Sequence, residues 1–198
     1  MRTSIKTIED HVLDLLDENR ELLDERVEYC DPGVTLPVLI GRFVDTAARE
    51  VLLTAPAEAI DECRHLGGSD MRAVHTRADM ATVALPPRFL RLLYFRMTDW
   101  QYGVVTPVAV GSEQHSLLAA EYVRGSRRCR RRGAVAVRQR GDVRELEVFG
   151  TYAGSQIAEF DWLEAPSLID GMIDLPPGLL PDVCARIAGM VRQVVGTD

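Results

Sequence analysis

Apolar positions along the chain recur at two different spacings, one helical and one strand-like. Ile8, Val12, Leu15 and Leu16 lie on one helical stripe behind Thr7 and Asp10, a pair that resembles a capping box, so a first helix is expected to begin near Ile8. Asp10, Asp14, Asp17, Glu18 and Glu21 repel one another at i, i+3 and i, i+4 spacing, which predicts an end or bend near Asn19. Residues 18 to 29 either extend this helix or form a polar connection, and Asp31, Pro32 and Gly33 break the chain. A second helix follows. Thr35 offers its N-cap, Pro37 suits its first turn, and Leu36, Ile40, Phe43, Ala47 and Val51 mark one face, with Leu39, Val44 and Leu52 beside it, until Pro56 stops it. A short helix is expected over residues 57 to 66, with Ile60 and Cys63 inward and Gly67 and Gly68 terminating it.

From Met71 the period shortens to that of strands. Residues 73 to 76 and 82 to 85 flank a polar turn. Leu85, Pro86 and Pro87 then lead into Phe89 to Trp100, a run too dense in apolar residues to face water, which reads as a buried central strand. Strict alternation would turn Leu90, Leu92 and Tyr94 to one face and Leu93, Phe95 and Met97 to the other, leaving Arg91 and Arg96 to reach solvent. Residues 112 to 122 suggest a helix capped by Ser112, with Leu117 and Leu118 inward.

The next hairpin can be placed in register. With Gly141 and Asp142 as a two-residue turn, Val135 faces Val148 and Val137 faces Leu146, while Arg138 faces Glu145 and Ala136 faces Glu147. A third strand over residues 156 to 163, with Ala158, Phe160 and Trp162 on one side and Glu159 and Asp161 on the other, extends this hairpin into a meander with one wet face. Leu175, Pro176, Pro177 and Gly178 lead into a last helix with Leu180, Cys184, Ile187, Val191 and Val194 as its stripe and Pro181 in its first turn. The expected fold class is therefore α+β, with amino-terminal helices and a carboxy-terminal helix packed with a central antiparallel sheet. Its segments are a helical part over residues 1–70, a β-rich part over 71–165 and a linker and helix over 166–198, integrated as one domain.

Charge changes this picture more than composition does. A chain of 198 residues with 46% apolar and 27% charged residues is ordinary for a globular protein, and no apolar run nears the roughly 20 residues of a spanning helix. No membrane association is expected. The total of −7 conceals an asymmetry, because residues 1–31 carry ten acids against four bases, net −6, whereas residues 121–144 carry nine arginines against two acids, net +7. Within the basic region, Arg124, Arg127, Arg128, Arg130, Arg131 and Arg132 form a loop able to neutralise several phosphates or to meet an acidic protein face. It has no interleaved aromatic residue for base stacking, so sequence-specific or single-strand recognition is not indicated.

Catalytic constellations are not evident. His11, His65, His75 and His115 have no metal-ligand spacing, and each is more simply a surface or satisfied core histidine. The glycines build no phosphate-binding loop, and there is no nucleophile elbow. Cys30, Cys63, Cys129 and Cys184 form no C-x-x-C pair and read as reduced thiols. No enzyme activity, cofactor or metal is expected. The Arg140, Gly141, Asp142 tripeptide sits at a hairpin tip, which gives an adhesion role little weight.

Three phrases carry a resemblance. Leu16-Asp17-Glu18-Asn19 in the first helix, Val44-Asp45-Thr46-Ala47-Ala48-Arg49 before Ala55-Pro56, and Leu85-Pro86-Pro87-Arg88-Phe89-Leu90-Arg91-Leu92 entering the sheet resemble the head-tail adaptors of tailed phages and prophages. The type in question is the connector below the portal of short-tailed phages, and Ile173-Asp174-Leu175-Pro176 before the final helix resembles it as well. The resemblance implies a virion structural protein without catalysis, made in the host bacterial cytoplasm and assembled as a dodecameric ring between portal and tail proteins. It further implies that the acidic helix bearing Asp10, Asp14, Asp17, Glu18 and Glu21 meets a neighbour's or the portal's basic face, and that the arginine loop lines the DNA path or docks on the tail. A small nucleic-acid-associated protein gripping phosphates through that loop is the alternative.

Overall fold

A computed structural model describes residues 2–16, 20–60, 64–66, 71–77, 79–123 and 133–196; the side chains of residues 20–22, 64–66 and 121–123 lie outside that description. In chain order the elements are β1 (Arg2–Ser4), α1 (Ile5–Leu16), α2 (Arg20–Cys30), α3 (Leu36–Thr54), β2 (Arg64–Leu66), β3 (Ala73–Arg77), β4 (Met80–Ala84), β5 (Phe89–Met97), α4 (Glu113–Val123), β6 (Ala134–Arg140), β7 (Val143–Phe149), β8 (Ile157–Glu164), β9 (Leu168–Ile169), β10 (Met172–Asp174) and α5 (Leu180–Val195). The fold is α+β, with antiparallel sheets throughout and helices at both ends of the chain. It divides into two compact units, residues 1–63 with 165–198 and residues 64–164.

In the helical unit, α5 packs on α1, α2 and α3. The core is built from Ile8, Val12 and Leu16 of α1, Leu23 and Val27 of α2, Leu36, Leu39, Ile40 and Val44 of α3, and Val183, Cys184, Ile187 and Val191 of α5. Spacings of three and four residues put these groups on one stripe per helix, which burial then selects. Four local expectations change. The first helix starts at Ile5, because Ser4 Oγ accepts from the Thr7 amide at 3.1 Å and the Gly171 carbonyl accepts from the Ile5 amide at 2.9 Å. Thr35 makes no side-chain cap; instead Asp24 Oδ1 of α2 accepts from the Leu36 amide at 3.3 Å. Leu15 and Val194 are half-exposed, since their own stripes place Leu16 and Val195 inward. Residues 20–30 form a separate helix, and the expected bend near Asn19 lies outside the described residues. A small sheet of order β1-β10-β9 completes the unit, its hairpin turned by Asp170 (φ 51°) and Gly171 (φ 70°), both in the left-handed region that a type I′ turn requires.

The β-rich unit holds two sheets, β2-β8-β5 and β3-β4-β7-β6. They contribute to one core of Ala81, Val83, Phe89, Leu92, Phe95, Met97, Val135, Leu146, Val148 and Phe160. Phe95 meets Trp100 and Phe160 edge-on at 5.7 and 5.6 Å between centroids. The hairpin of β6 and β7 has the register expected from the sequence, Val135 against Val148, Val137 against Leu146 and Arg138 against Glu145. The meander does not form. β8 pairs with β5 and β2, and β7 takes β4 as its second neighbour, because each strand follows the sheet on which its apolar face is buried. Likewise the helix expected over residues 57–66 is a single 3₁₀ turn at Ala57–Ala59, with Arg64–Leu66 recruited as a strand on the edge of β8.

β5 departs most from the alternating pattern. It is flanked by β8 on one side and by a two-bond bridge to Val104 on the other, so it is the outer strand of its sheet and not the central one. Its buried residues are Phe89, Leu92, Phe95 and Met97, spaced three, three and two apart. Register shifts between Phe89 and Arg91 and between Leu92 and Tyr94 each insert one extra residue opposite β8, and each insertion moves the next inward position by one. Leu90 and Leu93 are the extra residues. Beyond β5, the segment to α4 crosses to the other sheet, where the Val135 carbonyl accepts from the Val108 amide at 2.7 Å.

Candidate functional site

The bulge at Leu90 has a local consequence. In a regular strand only alternate residues face one side, whereas here Phe89, Leu90, Arg91 and Leu92 all line one cleft. Its opposite wall is Pro107, Val108, Ala109 and Val110, held by the amide of Val108 on β6, and Val137 and Arg144 complete it. The cleft measures about 310 Å³, at the small end of ligand-sized cavities. Among the described residues, its charged lining groups are the guanidinium groups of Arg91 and Arg144.

Arg144 is oriented by its surroundings. Arg144 Nη1 donates to the Phe89 carbonyl at 2.6 Å, and its guanidinium lies over the Phe89 ring, 5.4 Å from the centroid. Arg91 is partly buried, and burial pulls its pKa below the usual arginine value because water is withdrawn from the charge. Such a setting favours an anion that also brings apolar surface.

On the other face of β7 lies a second polar feature. Glu147 is 4% exposed beneath α4. His115 Nε2–H of α4 donates to Glu147 Oε2 at 2.9 Å, and Arg138 Nη1 donates to Oε1 at 2.8 Å. Burial pushes the Glu147 carboxyl up, but the hydrogen bonds and charges of His115 and Arg138 outweigh it and leave the pKa lowered. The His115 ring also meets Phe149 edge-on at 5.8 Å. Ser112 Oγ caps α4 by accepting from the His115 amide at 3.2 Å, as its position before the helix implies. Two expectations are corrected at this point. Leu117 is exposed, because α4 meets the sheet through His115, and Glu147 is buried where a wet face was expected, with Arg138, which stands opposite Glu145 in the register as expected, reaching diagonally to it.

Of the residues singled out from the sequence, Asp10 and Asp14 are exposed on α1, away from Ile8, Val12 and Leu16. Asp17, Glu18 and the run Arg124, Arg127, Arg128, Arg130, Arg131 and Arg132 lie outside the described residues, as does the side chain of Glu21. His75 Nε2–H donates to the Ser155 carbonyl at 3.0 Å, joining β3 to the approach of β8. Among the described residues no group of three or more histidine, cysteine, aspartate or glutamate side chains is placed to hold a metal ion, and no helix is long and apolar enough to cross a membrane. The cleft had no signal in the sequence, since Arg91 reads as the flank of a strand and Arg144 as one charge among many. No protein-family model matches the chain, and no curated protein compared with it is significantly similar.

Proposed function

We propose that this chain is a structural head-tail adaptor of a tailed phage or prophage, a non-catalytic connector that assembles as a ring, dodecameric in the particle, between the portal and the tail. The observation that carries the reading is the opposition of charge within one chain, net −6 over residues 1–31 and net +7 over residues 121–144. A ring closed by head-to-tail contacts needs two different, complementary patches on each subunit, and opposed patches of this kind also steer the encounter. The exposed position of Asp10 and Asp14 on α1 supports it, since these acids are free of the helical core and open to a partner. The phrases around Leu16, Val44 and Leu85 support it from the side of sequence resemblance. The test is to mix the purified protein with portal rings and follow the complex by light scattering and electron microscopy. A symmetric ring seated on the portal is the expected result; a strict monomer that ignores portal rings refutes the reading.

A second reading, a nucleic-acid-associated protein, is favoured by one feature, six arginines within residues 124–132. If these grip the phosphate backbone, duplex DNA binding weakens steeply with salt. Losing five phosphate contacts by replacing Arg127, Arg128, Arg130, Arg131 and Arg132 with Ala then flattens the slope of log K against log[salt] by about 4.5. An unchanged slope in that variant assigns the run to a protein partner.

A further inference from the structure

The cleft between β5 and the 107–110 segment holds one cation whose hydrogen-bonding capacity is only partly used. Arg144 Nη1 donates to the Phe89 carbonyl and the guanidinium lies over the Phe89 ring, but among the described residues its Nε–H and Nη2–H groups have no partner. Those two groups form the fork that can take both oxygens of a carboxylate. Arg91, also in the lining, already has an interaction of its own and takes no part.

The remaining wall decides what the anion must be attached to. Leu90, Leu92, Pro107, Val110 and Val137 supply aliphatic surface, and among the described lining residues there is no acidic, hydroxyl or amide side chain. A phosphate brings further charged oxygens that would face hydrocarbon, and a peptide brings backbone amides that these side chains cannot satisfy. A plain alkyl chain carries no such groups. The volume, about 310 Å³, suits a small ligand and not a long lipid tail. The bulge joins the two halves of the cleft: Phe89, which carries the guanidinium, and Leu90, which begins the apolar wall, are consecutive residues and share one side only because the strand is irregular there.

We infer that the cleft binds a small aliphatic monocarboxylate, its carboxylate received by Nε–H and Nη2–H of Arg144 and its hydrocarbon chain laid between Leu90 and Leu92 of β5 and Pro107 and Val110 of the facing segment. This site is independent of the adaptor reading. The Phe89 carbonyl and ring hold Arg144 in place before the ligand arrives, which reduces the side-chain freedom lost on binding.

Titration of the full-length chain with sodium octanoate, followed by amide NMR, tests the site. The expected result is saturable shifts at Leu90, Val110 and Val137, with octylammonium, which has the same chain and the opposite charge, binding at least tenfold more weakly. Arg144→Met removes the donors while keeping an unbranched side chain beside Phe89, and it lowers octanoate affinity at least tenfold. Val110 is 46% exposed, so Val110→Glu tests the same charge logic at a position where folding is spared, even if Arg144→Met fails to fold. Val110→Glu repels octanoate, with affinity down at least tenfold and an unchanged thermal midpoint, whereas the uncharged Val110→Gln recovers most of the binding. The absence of saturable shifts at millimolar octanoate, equal binding of octylammonium, or an affinity unchanged in Val110→Glu overturns the inference. Tighter binding of the peptide acetyl-Ala-Ala-Val, which presents a carboxylate from a protein C-terminus, overturns it as well.

Discussion

Glu147 shows how one side chain can be misjudged from local pattern and yet be explained by its neighbours. Alternation along β7 puts Glu147 opposite Leu146 and Val148, on a face that would be wet if the hairpin stood alone. With α4 laid over that face the carboxylate is buried, and it is stable there because His115 and Arg138 each donate to a different oxygen. Replacing His115 with Ala leaves one oxygen short of a donor and is expected to cost about 1–3 kcal/mol in urea denaturation. The pH dependence has a definite sign. A carboxyl whose folded pKa is lowered contributes stability that is fully present above its unfolded pKa and is lost as pH falls through the folded value. Unfolding measured across the acid range should therefore show stability declining below the ordinary carboxylate range, with a shallower decline in Glu147→Gln. Glycine imposes a complementary constraint. A Cβ at Gly133 would collide with the Trp100 ring, and one at Gly103 with the Tyr94 ring, so both aromatic side chains sit where only a hydrogen leaves room.

Among the elements, β5 carries the most information. Composition marks it as buried, and it is, but the bulges that decide which residues are buried depend on how β8 pairs with it. The same bulge brings Arg91 to the cleft beside Leu90, a placement that strict alternation excludes. Phe95 is fully buried and clamped between Trp100 and Phe160. Phe95→Asp places a charge there with no partner, and the expected outcome is loss of the folded state, seen as loss of near-ultraviolet circular dichroism and of soluble yield. A soluble, natively folded Phe95→Asp protein would contradict this assignment. The hairpin of β6 and β7 is the opposite case. Its register follows from local rules alone, because Gly141 (φ 62°) supplies the turn and the apolar and charged pairs coincide only in one alignment.

At the scale of the whole molecule, the β-rich unit is one continuous segment of chain, and the helical unit is made from the two segments that flank it in sequence. Its own two ends are neighbours, since Arg64 pairs with Leu163 across β2 and β8. A segment whose ends meet and whose sheets share a core has what independent folding requires. Residues 64–164 expressed alone are expected to give a β-rich circular dichroism spectrum and a cooperative unfolding transition; a non-cooperative product would show that the helical unit is needed to complete that core.

What the sequence determined by itself was everything governed by neighbours within about a turn or a hairpin. It specified α3 and its stop at Pro56, the last helix, the Ser112 cap, the hairpin at Gly141, the α+β class and the separation of acidic from basic segments, because spacing and turn chemistry act locally. Tertiary structure alone decided the rest. The pairing of β8 with β5, the recruitment of Arg64–Leu66 as a strand, the burial of Glu147 under α4 and the joining of Arg91 with Arg144 all unite residues far apart in the chain. Their partners are chosen by which apolar faces can be buried together, a competition over the whole fold in which no local period takes part.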